Sequence, residues 1–298
     1  MSIYLAHSKN DAGKPQTQAE HLTNVAEFAA AFAEPWHGQE EARLAGLLHD
    51  LGKYGDLFRQ RLDGTVSRID HWSAGAWRAL QLGRQDGIAA ALVIQGHHLG
   101  LQQLNTHNLS ECLDPHILAN KHPRQLRLSE TDIDRLVQRF TDDSLSIAVP
   151  SASLLPRDRL WTAQAARMLD IRMLFSTLVD ADYLDTERHF NTTDIAKPWQ
   201  RPPAPPLVPA DALQIVLERL AALQDPGVSP ASTAMMRVRA DLLRDCRECA
   251  GESPGVWTLT APTGSGKTLA MLAFALEHAA KHDLRRVIMV IPYLSIIE

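Results

Sequence analysis

The sequence predicts a mostly α-helical domain followed by the opening of an α/β domain. Three observations carry this. Apolar residues recur at three- and four-residue steps through the first 197 residues, where strand-like alternation is scarce. Six of the seventeen prolines crowd into residues 198–209. Beyond them, a short β-branched run, a Gly-rich turn, a helical pattern and a second apolar run follow one another.

In the first part, Leu22, Val25, Ala29 and Phe32 define one helix, and Leu44, Leu48 and Leu51 a second. His21 falls on the stripe of Val25, Phe28 and Phe32, so it is expected to point inward. Further helices are predicted over residues 73–82, 87–95, 130–140 and 160–180. Residues 1–197 read as one domain. The prolines make residues 198–210 stiff and extended, hence a linker. In residues 211–298, helices over 211–224 and 231–250 precede a strand at 256–260, a helix at 269–280 and a strand at 286–291.

Composition narrows the function classes. The chain has 298 residues and a formal net charge of -5, with 45% hydrophobic and 22% charged residues. No apolar run reaches the roughly 18 residues a membrane helix needs. The opening Met-Ser-Ile-Tyr lacks a basic-then-apolar signal pattern, and three cysteines do not make a disulfide scaffold, so a cytoplasmic protein is expected. The mild acidity predicts no general nucleic-acid footprint; any such contact must be local, through metal ions or patches. Ten of the thirteen histidines lie in the first 122 residues, which composition does not explain.

Two motifs carry chemistry. Residues 261–268 read Ala-Pro-Thr-Gly-Ser-Gly-Lys-Thr, a Walker A pattern with Ala in its first position. Gly264, Ser265 and Gly266 let backbone amides turn toward phosphate oxygens, Lys267 brings a charge to the β and γ phosphates, and Thr268 offers a hydroxyl to Mg²⁺. Only thirty residues follow Thr268, with no acidic partner strand, so ATP and Mg binding is expected without efficient hydrolysis.

The second motif is a set of imidazoles and carboxylates spread over predicted helices: Glu20-His21, His49-Asp50-Leu-Gly-Lys53, Asp70-His71, Gly96-His97-His98 and Asp180-Ala-Asp182. A single inward-facing histidine is usually a satisfied core residue. Five of them beside a His-Asp pair are better satisfied together by metal, and the mixed donors suit Mn, Fe, Co, Ni or Zn better than Ca or Mg.

The run Gly46-Leu-Leu-His-Asp-Leu-Gly-Lys53 resembles the signature of HD-domain phosphohydrolases. With Asp70-His-Trp-Ser-Ala-Gly-Ala76, Gly96-His-His-Leu-Gly-Leu101, the segment 178–187, the Walker A and Pro292-Tyr-Leu-Ser-Ile-Ile-Glu298, the chain resembles the CRISPR-associated helicase-nuclease of type I systems, of the I-C kind. The resemblance implies an HD-domain helical bundle followed by the truncated start of a RecA-like α/β P-loop domain. It implies two divalent transition metals (Mn, Fe, Co or Ni). His21, His49, Asp50 and Asp180 match the ligands of one; Asp50, His71, His97 and His98 match those of the other. Asp182, two residues past Asp180, is expected to face away. Trp72 departs from the pattern, standing where relatives carry a small hydroxyl residue.

The implied activity is metal-dependent hydrolysis of single-stranded DNA, coupled in the family to an ATP-driven 3'-5' helicase and recruited by an RNA-guided surveillance complex. A monomer is expected, with Asp50 and Lys53 the catalytic residues. Lys53 reads either as a phosphate-neutralising group or as a cation at a helix C-terminus. The alternatives are an HD phosphohydrolase acting on nucleotides and a docking module with structural metals.

Other features read blandly. Cys246 and Cys249 have zinc-like spacing, but only Cys112 remains among the thiols and the pair falls in a helix. His107, His116 and His122 read as solvated loop residues, and Arg124, Arg127, Arg135 and Arg139 as a solvated face. His7 is a candidate supporting residue rather than a ligand.

Overall fold

The computed structural model describes residues 3–82, 87–101, 113–151, 164–222 and 230–290. The predicted features His107, Cys112 and segment 292–298 lie outside these residues. The chain divides into two compact units, residues 1–201 and 202–298.

The first unit is helical. Its elements are α1 (Gln18–Ala33), α2 (Gln39–Leu48), α3 (Asp56–Leu62), α4 (Ser73–Gln81), α5 (Ile88–Leu99), α6 (Pro115–Asn120), α7 (Ile133–Asp142) and α8 (Gln164–Asn191). Two short ladders tie loops to the bundle. β1 (Leu5–His7) pairs antiparallel with β2 (Gln16–Thr17), and β3 (Ile69–Asp70) pairs parallel with β4 (Arg127–Leu128).

Helix α1 starts where its sequence signals it. The Thr17 hydroxyl accepts from Glu20 N at 3.2 Å, and the Glu20 carboxylate accepts from Thr17 N at 3.0 Å, a capping box. Its buried stripe runs through His21, Leu22, Val25, Ala29 and Ala33. His21 points inward as expected, but Phe32 is exposed, because Ala33 and not Phe32 completes the stripe. Small residues let α2 approach closely: a Cβ on Gly46 would stand 2.5 Å from the Ala26 Cα.

Leu22, Leu44, Leu48, Ile94, Leu136, Phe140, Leu174 and Leu178 form the heart of the core, each fully buried. Burying such a side chain contributes about 1.5–3 kcal/mol. Several elements extend past their predicted ends. Helix α5 continues to Leu99, so it carries His97 and His98, and α8 runs to Asn191 rather than stopping at Asp180. Helix α2 stops at Leu48; Leu51 falls in a 3-10 turn, Leu51–Tyr54.

Of the four arginines read as a solvated face, three are exposed and Arg139 is half-buried. Arg139 donates to Tyr54 O at 2.7 Å and pairs with Asp56 at 2.9 Å, and Arg135 pairs with Glu130. Arg124 and Arg127 are exposed.

The second unit has helices α9 (Pro209–Ala222), α10 (Pro230–Cys249) and α11 (Lys267–Lys281). Pro209, read as linker, is the first residue of α9, where a missing amide costs nothing. The expected strands at 256–260 and 286–291 do not form among the described residues. A strand is held by its ladder, and neither run has a partner there; Val256 and Ile288 are largely exposed. Cys246 is buried and Cys249 exposed on one helix, and neither belongs to a metal-holding group among the described residues. No helix among them is long and apolar enough to cross a membrane.

Candidate metal centre

Asp50 is the centre of the site. It is buried at the end of α2, and Gln18 Nε2 holds its backbone carbonyl at 2.8 Å. Its two carboxylate oxygens face different partners. Oδ2 lies 3.3 Å from His49 Nε2, 3.6 Å from His21 Nε2 and 2.8 Å from Lys53 Nζ. Oδ1 lies 3.5 Å from His71 Nε2, 3.6 Å from His97 Nε2 and 4.0 Å from His98 Nε2.

Backbone and carboxylate acceptors set the imidazole orientations. His49 donates its Nδ1–H to Gly46 O at 2.8 Å, and His97 donates its own to Ile94 O at 2.6 Å. His21 Nδ1 lies 2.7 Å from Asp185 Oδ2. Each ring is thereby turned with Nε2 toward Asp50, the arrangement of metal-binding histidines. The result, among the described residues, is four buried polar atoms around the site with no hydrogen-bond partner: His21 Nε2, His49 Nε2, His97 Nε2 and Asp50 Oδ1. Such orphans each cost about 1–3 kcal/mol. Their clustering around one carboxylate fits divalent cations.

The gathered ligand atoms fall into two groups sharing Asp50: His21, His49, Asp50 and Asp182, and Asp50, His97 and His98. His71 stands beside the second, its Nε2 3.0 Å from His98 Nε2.

Asp180 is a correction. It is exposed, and Asp182 takes the place expected of it, 3.4 Å from His21 Nε2 and 3.7 Å from His49 Nε2. The buried stripe of α8 runs through Leu174, Leu178, Ala181 and Asp185. Asp182 follows Leu178 by four residues and shares its side; Asp180 follows by two and points away. That spacing was present in the sequence.

Electrostatics separate the two halves. Burial lowers the basicity of His49, but Asp50 and Asp182 outweigh it and raise its pKa to about 10, so its Nε2 carries a proton that a bound cation would displace. Burial disfavours the Asp50 anion, yet Lys53, His49 and His71 hold its carboxyl well below the usual range. Burial disfavours the Asp182 anion as well, yet the neighbouring His49 and His21 imidazoles hold its carboxyl below the usual range. These carboxylates draw positive charge. On the other side, burial pushes His71 down to about 3 and His98 to about 4. Both are neutral at pH 7 and keep a lone pair for a cation.

A supporting layer holds the ligands. Asp185 accepts from Gln16 Nε2 at 2.8 Å and Asn24 Nδ2 at 2.7 Å as well as meeting His21. Asp70 is buried beside His71. It accepts from the amides of Trp72 and Ser73 at 3.0 and 2.9 Å, from the Ser73 hydroxyl at 2.6 Å, and pairs with His122 at 3.0 Å. His122, expected in solvent, therefore anchors its loop to the base of α4. Gly52 is required by closeness: its amide donates to His71 O at 3.0 Å, and a Cβ would stand 2.5 Å from that oxygen. Trp72 fills the wall against His71 and His98, with ring centroids at 5.3 and 4.6 Å. His7 packs edge-on against His21 at 4.9 Å, and burial drives its pKa far down. His116 is exposed, as expected, but on the short helix α6 rather than in a loop.

Lys53 is buried in the 3-10 turn against Asp50 and 5.5 Å over the Phe58 ring, so it lies inside the site rather than on a solvated helix end. Most of the cluster is enclosed, and His98 and Asp182 form its mouth, with side chains 36% and 29% exposed.

Residues 19–140 match the HD domain family. The HD match covers every histidine of the cluster and Asp50, and stops before the helix that carries Asp182 and Asp185. An HD domain points to a metal-dependent hydrolase, and the His and Asp cluster is consistent with divalent metals. No curated protein matches the chain.

In the second unit, Gly264 and Gly266 have φ of 82° and 80°, backbone that favours glycine. Ser265 is buried, Lys267 opens α11, and Thr268 is exposed in its first turn. The Lys267 amine donates to Ala261 O at 2.8 Å and Pro262 O at 2.9 Å.

Proposed function

We propose that the chain is a divalent-metal-dependent nuclease that hydrolyses phosphodiesters of single-stranded DNA, in type I CRISPR interference. The observation that carries the reading is the division of Asp50: one oxygen toward His21 and His49, the other toward His71, His97 and His98. One carboxylate can thus bridge two cations. Two cations when bound supply a nucleophile at neutral pH and neutralise charge on a phosphodiester.

The protein's own residues do the rest. His21, His49, Asp50 and Asp182 would hold one ion; Asp50, His71, His97 and His98 would hold the other. Lys53 adds a fixed positive charge beside Asp50, suited to an anionic substrate. Trp72 and the buried core keep bulk water from the closed side, so substrate enters past His98 and Asp182. The Walker A segment attached to this centre favours a DNA-directed enzyme over a free-standing nucleotide hydrolase. Gly264, Ser265, Gly266, Lys267 and Thr268 bind ATP with Mg in this reading, as the beginning of a helicase motor. An RNA-guided surveillance complex is the partner that would deliver the DNA, and the chain acts as a monomer in the cytoplasm.

The test is cleavage of circular single-stranded DNA with Mn²⁺, Co²⁺ or Ni²⁺, with and without EDTA. Linear and shorter products with the wild type, absent with EDTA and with Asp50→Ala, are expected. Equal cutting by Asp50→Ala refutes the assignment. Phosphate release from free nucleotides without DNA cutting supports a nucleotide phosphohydrolase instead.

A further inference from the structure

We propose that Arg239 is a positioning residue of the phosphate loop, and that its guanidinium fixes the loop for a nucleoside triphosphate. The inference rests on the nucleotide-binding reading of residues 261–268. Arg239 lies on α10, well before that motif. Its Nε and Nη2 both donate to the Gly264 carbonyl, at 3.1 and 2.9 Å. The same peptide unit is held at its other end, where Ser265 N donates to Pro262 O at 3.3 Å. The plane between Gly264 and Ser265 is therefore fixed on both sides.

This matters because glycines on either side of Ser265 rotate with little steric penalty. A flipped peptide would turn a carbonyl oxygen, with its partial negative charge, toward phosphate oxygens. With the carbonyl committed to Arg239, the amides at the start of α11 and the helix dipole remain for an anion. Ser265 gives an independent sign of a ligand: the residue is 1% exposed, and its hydroxyl has no hydrogen-bond partner among the described residues. Arg239, Ser265 and Gly266 also line a cavity of about 250 Å³, with Leu220, Leu243 and Leu269 among its apolar walls. The loop and Arg239 thus share one recess. A lysine does not replace this contact, since an ammonium lacks the planar fork that places two donors on one oxygen.

The test is titration of the 298-residue chain with a fluorescent ATP analogue and Mg²⁺, alongside Arg239→Ala, Arg239→Lys, Lys267→Ala and a control, Arg244→Ala. Arg244 is on the same helix but, among the described residues, pairs with exposed Asp241, Asp245 and Glu248. Wild type and Arg244→Ala bind alike, and Lys267→Ala loses binding. Arg239→Ala binds the triphosphate about tenfold more weakly, the scale of one charge-assisted hydrogen bond. Its affinity for adenosine and its melting temperature do not change, which a merely structural role would not reproduce. Arg239→Lys falls between. Wild-type affinity in Arg239→Ala overturns the inference. If Arg239→Ala fails to fold, wild-type affinity in Arg239→Lys overturns it. Equal binding by wild type and Lys267→Ala instead overturns the nucleotide reading, and this inference with it.

Discussion

Asp185 meets His21 Nδ1 at 2.7 Å from one side while Asp50 faces His21 Nε2 from the other. A buried carboxylate thus aims an imidazole at the site without touching its centre. Replacing Asp185 with Ala frees the ring and strands Gln16 and Asn24. The expected result is metal affinity weaker by about 10–100-fold, the usual cost of losing such support. Isothermal titration with Mn²⁺ measures it, and unchanged affinity would remove Asp185 from the account.

The two aspartates on α8 separate cleanly. Asp182→Ala is expected to abolish binding of one ion and with it DNA cleavage, because its carboxylate lies among His21 and His49. Asp180→Ala, at an exposed position, is expected to match the wild type in both. Metal content by mass spectrometry of the purified variants distinguishes them.

Gly52→Ala tests the close approach of the turn to His71. An added Cβ at 2.5 Å from the His71 carbonyl forces the backbones apart. Overpacking of this kind costs about 1–3 kcal/mol, read as a lowered midpoint in urea unfolding. Metal affinity falls as well, since His71 and Asp50 no longer keep their spacing.

In the second unit, Glu277 ties α11 to α10 through Arg247 at 2.6 Å and pairs with Lys281 of its own helix at 3.3 Å. Burial slightly disfavours its charge, but these cations win and hold its pKa below the ordinary 4.5. A depressed carboxyl stabilises the fold above the unfolded value and loses that contribution as pH falls through the folded one. Glu277→Gln should therefore be less stable at pH 7 by about 0.2–1 kcal/mol, the range for an ion pair near the surface. Well below pH 4.5 the difference should vanish. Hydrogen exchange of the α11 amides at both pH values reads this.

Much of the helical unit was legible because apolar spacing acts locally. The identity of His21, His49, Asp50, His71, His97 and His98 as a group came from residue type and motif. The face of α8 was also written in the spacing of Leu178 and Asp182, but matching by motif position placed the ligand at Asp180. His122 was not legible: its pairing with Asp70 spans 52 residues and depends on where a loop returns. The strands at 256–260 and 286–291 failed for a related reason. Local β propensity does not supply the neighbouring strand that makes a ladder.

The central claim is a two-ion centre divided by Asp50. Anomalous diffraction from crystals grown with Mn²⁺ tests it most directly. The account predicts two peaks flanking the Asp50 carboxylate, one among His21, His49 and Asp182 and the other beside His97 and His98. A single peak, or peaks away from Asp50, would contradict it.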